Sequence, residues 1–216
     1  MKLRAVCLTL CLLSIVAVGA AQAVPLNVTL APAPDVFSSF IGDNYHHLTG
    51  AFTATGYAMT LDDDGVGPLH NISGGTFSLN ATINSSGVAT GGTLSIGGSV
   101  PDLSIGGPLL TGTLSAFGFA GVANSPLEFV FLVSGGSLAS LYGGNGASAG
   151  VILTGTGFNG TFGADFSTAF GAISDTAPVA AAPEPATLLL VLGGGAVYAV
   201  RKRCRNRRRA STERDC

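Results

Sequence analysis

Apolar and polar side chains alternate over much of the middle of the chain. The clearest stretch runs from Thr76 to Asn84, where apolar residues alternate with hydroxyl and amide residues. This period of two places the two kinds of side chain on opposite faces of a β-strand. A Ser-Ser-Gly turn at 85–87 interrupts the alternation, which resumes at Leu94. No stretch of this region has a helical period, so the pattern predicts an antiparallel all-β domain over residues 37–171.

A change of parity interrupts the alternation near residue 56. Phe52 and Ala54 share one parity, whereas Tyr57 and Met59 share the other, and the change falls at Gly56. A β-bulge inserts one extra residue into a strand and produces such a change. We therefore expect a bulge at Gly56.

One segment is apolar throughout instead of alternating. Residues 129–133 read Phe-Val-Phe-Leu-Val. A continuous apolar run of this length is typical of a strand that is covered on both faces. This segment predicts a central, doubly buried strand.

A weak internal repeat bears on how the strands are arranged. The pattern of Gly, then Thr or Ser, then Leu or Phe, then a small residue begins at Gly75, Gly92, Gly112, Gly136 and Gly160. Hairpins of a β-sandwich or coils of a β-solenoid could both produce it. A solenoid usually keeps a stricter period than this, so the sequence favours an antiparallel β-sandwich, with a β-solenoid as the alternative.

The charges are distributed very unevenly. Two of the ten Lys and Arg residues lie at positions 2 and 4, and the other eight lie at or beyond Arg201. Residues 24–182 contain carboxylates but no Lys or Arg. Because nucleic-acid affinity depends on neutralising phosphates, this region is not expected to bind nucleic acid. The four Cys residues also lie outside this region, which excludes disulfides within it.

The first 23 residues have the three parts of a secretory signal peptide. Lys2 and Arg4 precede an apolar run over residues 5–19, and Ala21-Gln22-Ala23 supplies the small residues of a cleavage site. The sequence predicts that signal peptidase cuts after Ala23.

The other end of the chain carries a second signal. Pro183, Glu184 and Pro185 precede an apolar segment at 186–200, which is followed by a basic cluster beginning with Arg201, Lys202 and Arg203. Fifteen helical residues span about 22 Å, less than a hydrocarbon core of about 30 Å. Flanking arginines and local thinning can make up the difference, so we expect a short transmembrane helix with a cytoplasmic basic tail.

These three features in this order resemble the PEP-CTERM sorting signal, over residues 183–209. The resemblance implies secretion by a Gram-negative bacterium, a temporary hold in the inner membrane, and processing by an exosortase. It also implies an association with exopolysaccharide and biofilm. Ala186 stands where the signal commonly has Ser, and a tail at 210–216 extends beyond the basic cluster. The signal describes a destination and leaves the fold and activity of the exported region open.

Segments poor in alternation flank the predicted domain. Residues 24–36 contain three prolines and predict an irregular lead-in. Residues 172–182 are rich in Ala and Pro, a composition typical of an extended linker. Such a linker would keep the Pro-Glu-Pro motif accessible to a processing enzyme.

The densest charge in the exported region is Asp62-Asp63-Asp64, followed by Gly65. Ca²⁺ takes six to eight oxygen ligands, and three carboxylates beside a turn could supply some of them. Consecutive side chains diverge, however, so the sequence favours a solvated acidic turn over a calcium site. The three histidines, His46, His47 and His70, lack any metal-ligand spacing and are expected in solvated loops.

No catalytic arrangement is recognisable in the exported region. It contains no G-x-S-x-G motif, and its only Glu, Glu128, has no identifiable partner carboxylate. We therefore expect a protein that is not an enzyme and has no cofactor. Tyr45, Tyr57 and Tyr142 could stack on sugar rings, whereas most Phe residues fall on the core parity.

These features together predict an exported cell-surface or matrix protein, structural and non-enzymatic. The alternative is a carbohydrate- or calcium-binding module in the same matrix. Under both interpretations, the expected partners of the protein are signal peptidase, an exosortase-type enzyme and extracellular polysaccharide. Its expected route leads through the inner membrane to the outer surface or the extracellular matrix.

Overall fold

Antiparallel strands make up most of residues 24–180, the part of the chain that the computed structural model describes. The bounds of the strands are β1 Asp35–His46, β2 Ala51–Asp62, β3 His70–Asn71, β4 Ser73–Ile83, β5 Ala89–Val100, β6 Ile105–Phe119, β7 Leu127–Gly135, β8 Ser148–Thr154 and β9 Phe166–Pro178. The predicted signal peptide at 1–23, the sorting signal at 183–209 and the tail at 210–216 lie outside the described residues. The all-β prediction is confirmed for residues 24–180.

Strand β1 closes the sheet into a barrel. The strands follow the order β1-β9-β8-β7-β6-β5-β4-β2, and β1 pairs with both β9 and β2. The two-residue strand β3 pairs only with the end of β2. The fold is therefore a closed eight-stranded barrel, and the predictions of a sandwich or a solenoid are wrong. Alternation records only which residues face inward, and it is the same whether a sheet closes on itself or packs on another.

Large apolar side chains fill the interior of the barrel. The aromatic ones concentrate near the end where β1 finishes and β2 begins, and they include Tyr45, Phe52, Phe117, Phe129 and Phe166. The loop between β8 and β9 inserts Phe158 and Phe162 into this cluster. The barrel is thus a packed core whose end is closed by its own loop.

Strand β7 alternates, contrary to the prediction of a doubly buried strand. Phe129, Phe131 and Val133 face the core, whereas Leu132 is exposed on the outer surface. A closed barrel covers only the inner face of each strand, so an apolar outer residue here meets solvent. The sequence of β7 therefore does not distinguish a barrel wall from a central strand.

Residues 172–178, predicted as part of a linker, form the second half of β9 and pair with β1 and β8. Small and hydroxyl residues, Ala172, Ser174 and Thr176, face inward here, while Ile173 faces solvent. Because the inward residues are small or polar and the outward one is apolar, apolar alternation does not identify this strand. The linker prediction is wrong over these residues, and residues 181–182 lie outside the described part.

The lead-in is also more ordered than predicted. Strand β1 begins at Asp35, and Leu30 forms a bridge with Val179 next to the end of β9. The backbone N–H of Asn27 donates to Glu128 Oε2 at 2.9 Å. Residues 24–34 therefore lie along the barrel wall.

The bulge expected at Gly56 occurs in the strand beside it. Ser39 pairs with Tyr57 and Gly42 pairs with Thr55, so Phe40 and Ile41 together face Gly56. The extra residue belongs to β1, and a further register shift skips Met59 in β2. The site of the irregularity was predicted correctly, but its strand was not.

Residues 24–180 contain no helix long and apolar enough to cross a membrane. The predicted transmembrane segment at 186–200 lies outside the described residues.

Candidate functional site

The outer wall of β2, β1 and β9 carries a cluster of apolar side chains that are not covered by other parts of the described chain. We call it the aromatic face; its exposed members are Phe40, Tyr57, Met59, Phe170 and Ile173, and the half-buried Phe37 completes it. Phe40 and Tyr57 are each 57% exposed and Phe170 is 70% exposed. Most other large exposed apolar residues lie in loops or in the lead-in, so this concentration on three adjacent strands is unusual.

A shallow groove runs across part of the aromatic face. It has a volume of about 490 Å³ and extends from Phe40 across Tyr57 and Met59 to the start of β4. Gly74 and Gly75 line it there, next to Thr76. Gly75 lies so close to β2 that a Cβ atom would overlap the carbonyl oxygen of Ala58. Gly75 therefore allows β4 to approach β2 closely at this end of the groove.

Phe40 occupies a strained backbone conformation in the bulge of β1. Its φ is +52°, a left-handed conformation that residues other than Gly and Asn rarely adopt. The penalty for such a residue is about 1–2 kcal/mol. Its side chain recovers little of this by burial, because more than half of it is exposed. The strain therefore presents an aromatic ring to solvent at the edge of the groove.

Three carboxylates border the aromatic face. Asp35 and Asp62 are direct partners across β1 and β2, and Asp175 of β9 is the direct partner of Phe37. Partners of this kind have Cβ atoms about 5 Å apart, so a carboxylate lies beside an aromatic ring. The name acidic row is used below for Asp35, Asp62 and Asp175.

No Lys or Arg of residues 24–180 neutralises the acidic row, because none occurs between residues 5 and 200. Burial, followed by repulsion from Asp175, raises the pKa of Asp35 to about 6; a hydrogen bond from the backbone N–H of Thr176 opposes this. Burial also raises the pKa of Asp175. The row is therefore a crowded group of carboxylates whose electrostatic energy a cation would lower.

The acidic turn predicted as a weak calcium site is organised mainly by its own backbone. Asp62 Oδ1 accepts from the N–H of Gly65 at 2.7 Å, and Asp64 Oδ1 accepts from the N–H groups of Val66 and Gly67. The bonds from Gly67 and Val66 hold the pKa of Asp64 below its ordinary value. The carboxylates of Asp62, Asp63 and Asp64 come within 4.8 Å of one another, but those of Asp62 and Asp64 already cap the turn.

The histidines form contacts with carboxylates at opposite ends of the barrel. His47 Nδ1 lies 2.7 Å from Asp165 Oδ1, and His46 Nδ1 lies 3.6 Å from Asp165 Oδ2. His70 lies between Asp63, at 3.3 Å, and Asp102, at 3.4 Å. His46 and His47 therefore share one carboxylate of the loop between β8 and β9, which the sequence did not indicate.

Only one of the three tyrosines considered for sugar stacking is accessible. Tyr45 is buried, and its hydroxyl donates to the carbonyl oxygens of Ile83 and Phe162. Tyr142 is also buried and donates to the carbonyl of Thr176 at 2.6 Å. Tyr57 alone lies on the outer wall, beside Phe40. Phe40 and Phe170 were not selected from the sequence, because most Phe residues follow the core parity and only the bulges place these two outside.

A second, smaller pocket lies at the end of the barrel that the β8–β9 loop closes. It has a volume of about 330 Å³, with Ser85, Ser86 and Thr161 on its rim and Phe119 and Phe162 below them. Both rings are buried and pack against each other edge to face. They offer little surface to a ligand, so the aromatic face is the stronger candidate.

Comparison of the chain with protein-family models, with curated proteins and with solved structures finds no match. The resemblance of residues 183–209 to the PEP-CTERM signal stays a prediction from the sequence. The barrel itself and the predicted signals are therefore the basis of the function proposed below.

Proposed function

We propose that this protein is an exported, non-enzymatic component of the cell surface or extracellular matrix, sorted through its C-terminal signal. Cleavage by signal peptidase after Ala23 and processing at Pro183-Glu184-Pro185 would release the barrel from the inner membrane. The motif order that resembles the PEP-CTERM signal is the observation that carries this proposal.

The properties of the barrel are compatible with such a role. Residues 24–182 carry no Lys or Arg, so polyanions find no cationic surface there. Each of the eight barrel strands is paired on both sides, which leaves no long strand edge for uncontrolled association. The packed interior needs no disulfide to hold it together.

A binding role within the matrix is the form of this proposal that the geometry favours. The aromatic face is a concentrated, uncovered apolar surface, and its groove is open and shallow. Carbohydrates stack their apolar ring faces on exposed aromatic side chains of this kind. The calcium-binding alternative has weaker support, because Oδ1 of Asp62 and Oδ1 of Asp64 already accept backbone hydrogen bonds.

The experiment that tests export is an intact-mass measurement on protein recovered from the extracellular fraction of the producing bacterium. We expect both ends to be trimmed, with residues 1–23 and the basic cluster from Arg201 onward removed. Replacing Pro183, Glu184 and Pro185 with alanines should leave the protein in the inner membrane. Recovery of extracellular protein that retains the Arg-rich tail would contradict the proposal.

A further inference from the structure

We propose that the aromatic face and its groove bind a polysaccharide that carries free amino groups, with sugar rings on the aromatic side chains and ammonium groups beside the acidic row. This inference rests on the proposed function, since it names the matrix component that the exported barrel would hold.

The conformation of Phe40 is the first reason to assign a ligand to this surface. A left-handed φ is unfavourable for Phe, and glycine would adopt it without strain. The ring gains little from the fold, because it lies mostly in solvent. Strained residues persist where the surrounding structure holds them in place, and they are concentrated at active sites and ligand-binding surfaces. A ring held out at the edge of a groove, beside Tyr57, provides a platform for a flat ligand.

The shape of the site favours a sugar chain over a peptide. Extended peptides commonly bind by adding a strand to an open sheet edge, and the eight barrel strands are each paired on both sides. The surface from β4 through β2 and β1 to β9 is about 14 Å wide at a strand spacing of about 4.8 Å. It is shallow and has no deep pocket for an individual side chain. A chain of rings can lie along it and contact several aromatic residues in turn.

The charge of the site determines which kind of sugar chain fits. The acidic row borders the aromatic face, and no Lys or Arg of residues 24–180 lies near it. A polyuronate would be repelled, whereas ammonium groups would offset the repulsion among the three carboxylates. Burial is the main cause of the raised pKa of Asp35, and repulsion from Asp175 adds to it.

The register places both kinds of interaction within reach of one ligand. Asp175 is the direct partner of Phe37, and Asp35 is the direct partner of Asp62. Ile173 faces the bulge that contains Phe40. An ammonium group near Asp175 also lies close to an aromatic ring, where the electron-rich face attracts cations.

The test uses the full chain, purified from membranes in a neutral detergent, so that the result depends on neither export nor processing. Glucosamine oligosaccharides are titrated into the protein by calorimetry near neutral pH. The same oligosaccharides with fully acetylated amines, and oligosaccharides of uronic acids, serve as comparison ligands. We expect binding of the amine-bearing oligosaccharide, at least about tenfold weaker binding of the acetylated one, and none of the uronate.

Variants separate the contribution of the rings from that of the carboxylates. Tyr57→Ala should weaken binding roughly tenfold, whereas Tyr57→Phe, which keeps the ring, should leave it within about twofold. Phe40→Gly should weaken binding similarly while the protein remains folded. Asp62→Asn combined with Asp175→Asn should weaken binding about tenfold and reduce its dependence on salt. Glu128→Gln removes one charge from β7, outside the face, and should have no effect on binding.

Two results would overturn the inference. Equal binding of acetylated and amine-bearing oligosaccharides would show that the acidic row does not recognise ammonium groups. If protein with cooperative thermal unfolding bound none of the three oligosaccharides, the aromatic face would not be a sugar-binding site. Neither result bears on export, which the mass of extracellular protein tests separately. Loss of export with intact glucosamine binding would contradict the proposed function alone.

Discussion

Gly56 of β2 provides the space for Ile41 in the bulge of β1, because a Cβ atom on Gly56 would lie 2.6 Å from Ile41 Cγ1. The same atom would lie 2.9 Å from Ile41 Cα and from the carbonyl oxygen of Ser39. The last two are backbone atoms, so a larger residue at position 56 would displace β1. The contact therefore lies in the bulge that exposes Phe40, within the β1–β2 pairing that closes the barrel.

Gly56→Ala should therefore destabilise the fold by about 2–4 kcal/mol, as severe overpacking does. Thermal or urea unfolding of the purified protein measures the change. The matched control is Gly91→Ala in β5, where a Cβ atom meets nothing within 4 Å. That substitution should be neutral or slightly stabilising, because Ala restricts the unfolded chain more than Gly. Equal effects at the two positions would contradict the packing described here.

Phe40→Gly should leave the stability unchanged or raise it by about 1 kcal/mol. Glycine adopts φ near +52° without strain, which offsets the greater freedom that it gives the unfolded chain. The melting temperature of the variant measures this balance. Phe129→Gly, at a fully buried position in β7, should by contrast cost several kcal/mol. A large destabilisation by Phe40→Gly would mean that the exposed ring has a structural role.

Asp43 should make the protein more stable in acid than at neutral pH. Its side chain is 3% exposed, and its hydrogen bonds from the N–H of Gly157 are long, at 3.3 and 3.4 Å. Burial raises its pKa from 3.8 to about 6. The folded state therefore binds this proton more tightly than the unfolded state does. The resulting stabilisation is fully present below pH 3.8, the ordinary pKa of the group, and is lost as the pH rises through about 6.

Asp43→Asn, which mimics the protonated carboxyl, should accordingly stabilise the protein at neutral pH by up to about 3 kcal/mol and much less in acid. Urea unfolding of both proteins across this pH range gives the difference. A residual pH dependence should remain in the variant, because the pKa of Asp35 is raised as well. A difference that is independent of pH would show that Asp43 is not the titrating group.

Tyr45→Phe should loosen the loop that closes one end of the barrel. The Tyr45 hydroxyl donates to the carbonyls of Ile83 at 2.9 Å and Phe162 at 3.1 Å, both in a buried setting. Removing it leaves two buried acceptors without this donor, at a cost of about 1–3 kcal/mol. Hydrogen exchange should rise in residues 155–165 before it rises elsewhere. Tyr57→Phe, which loses an exposed hydroxyl, is the control and should change neither measurement.

Addition of millimolar Ca²⁺ should leave the melting temperature unchanged. A ligand stabilises the fold only by binding to the folded state, and Oδ1 of Asp62 and Oδ1 of Asp64 already accept backbone hydrogen bonds within the turn. Differential scanning calorimetry with calcium and with a chelator tests this. An increase that disappears in the variant carrying both Asp63→Asn and Asp64→Asn would establish the calcium site instead.

Local patterns predicted the strands well where apolar residues face the core and polar residues face solvent. The alternation from Thr76 to Asn84 corresponds to β4, whose apolar residues face the core. The second half of β9 was missed because Ser174 and Thr176 point inward while Ile173 points outward. Tyr57 and Met59 produced the change of parity at Gly56, because these two apolar residues lie on the outer wall of β2.

The sequence by itself determined that residues 37–171 are built of β-strands and that residues 24–182 contain no Cys, Lys or Arg. Composition and period are properties of the chain alone. Only the tertiary structure decided that β1 meets both β2 and β9, which closes the barrel and exposes Phe40, Phe170 and Tyr57 on one wall. Pairing between residues more than a hundred positions apart, such as Phe37 with Asp175, leaves no trace in a local pattern. It depends on the twist and stagger of all eight strands together.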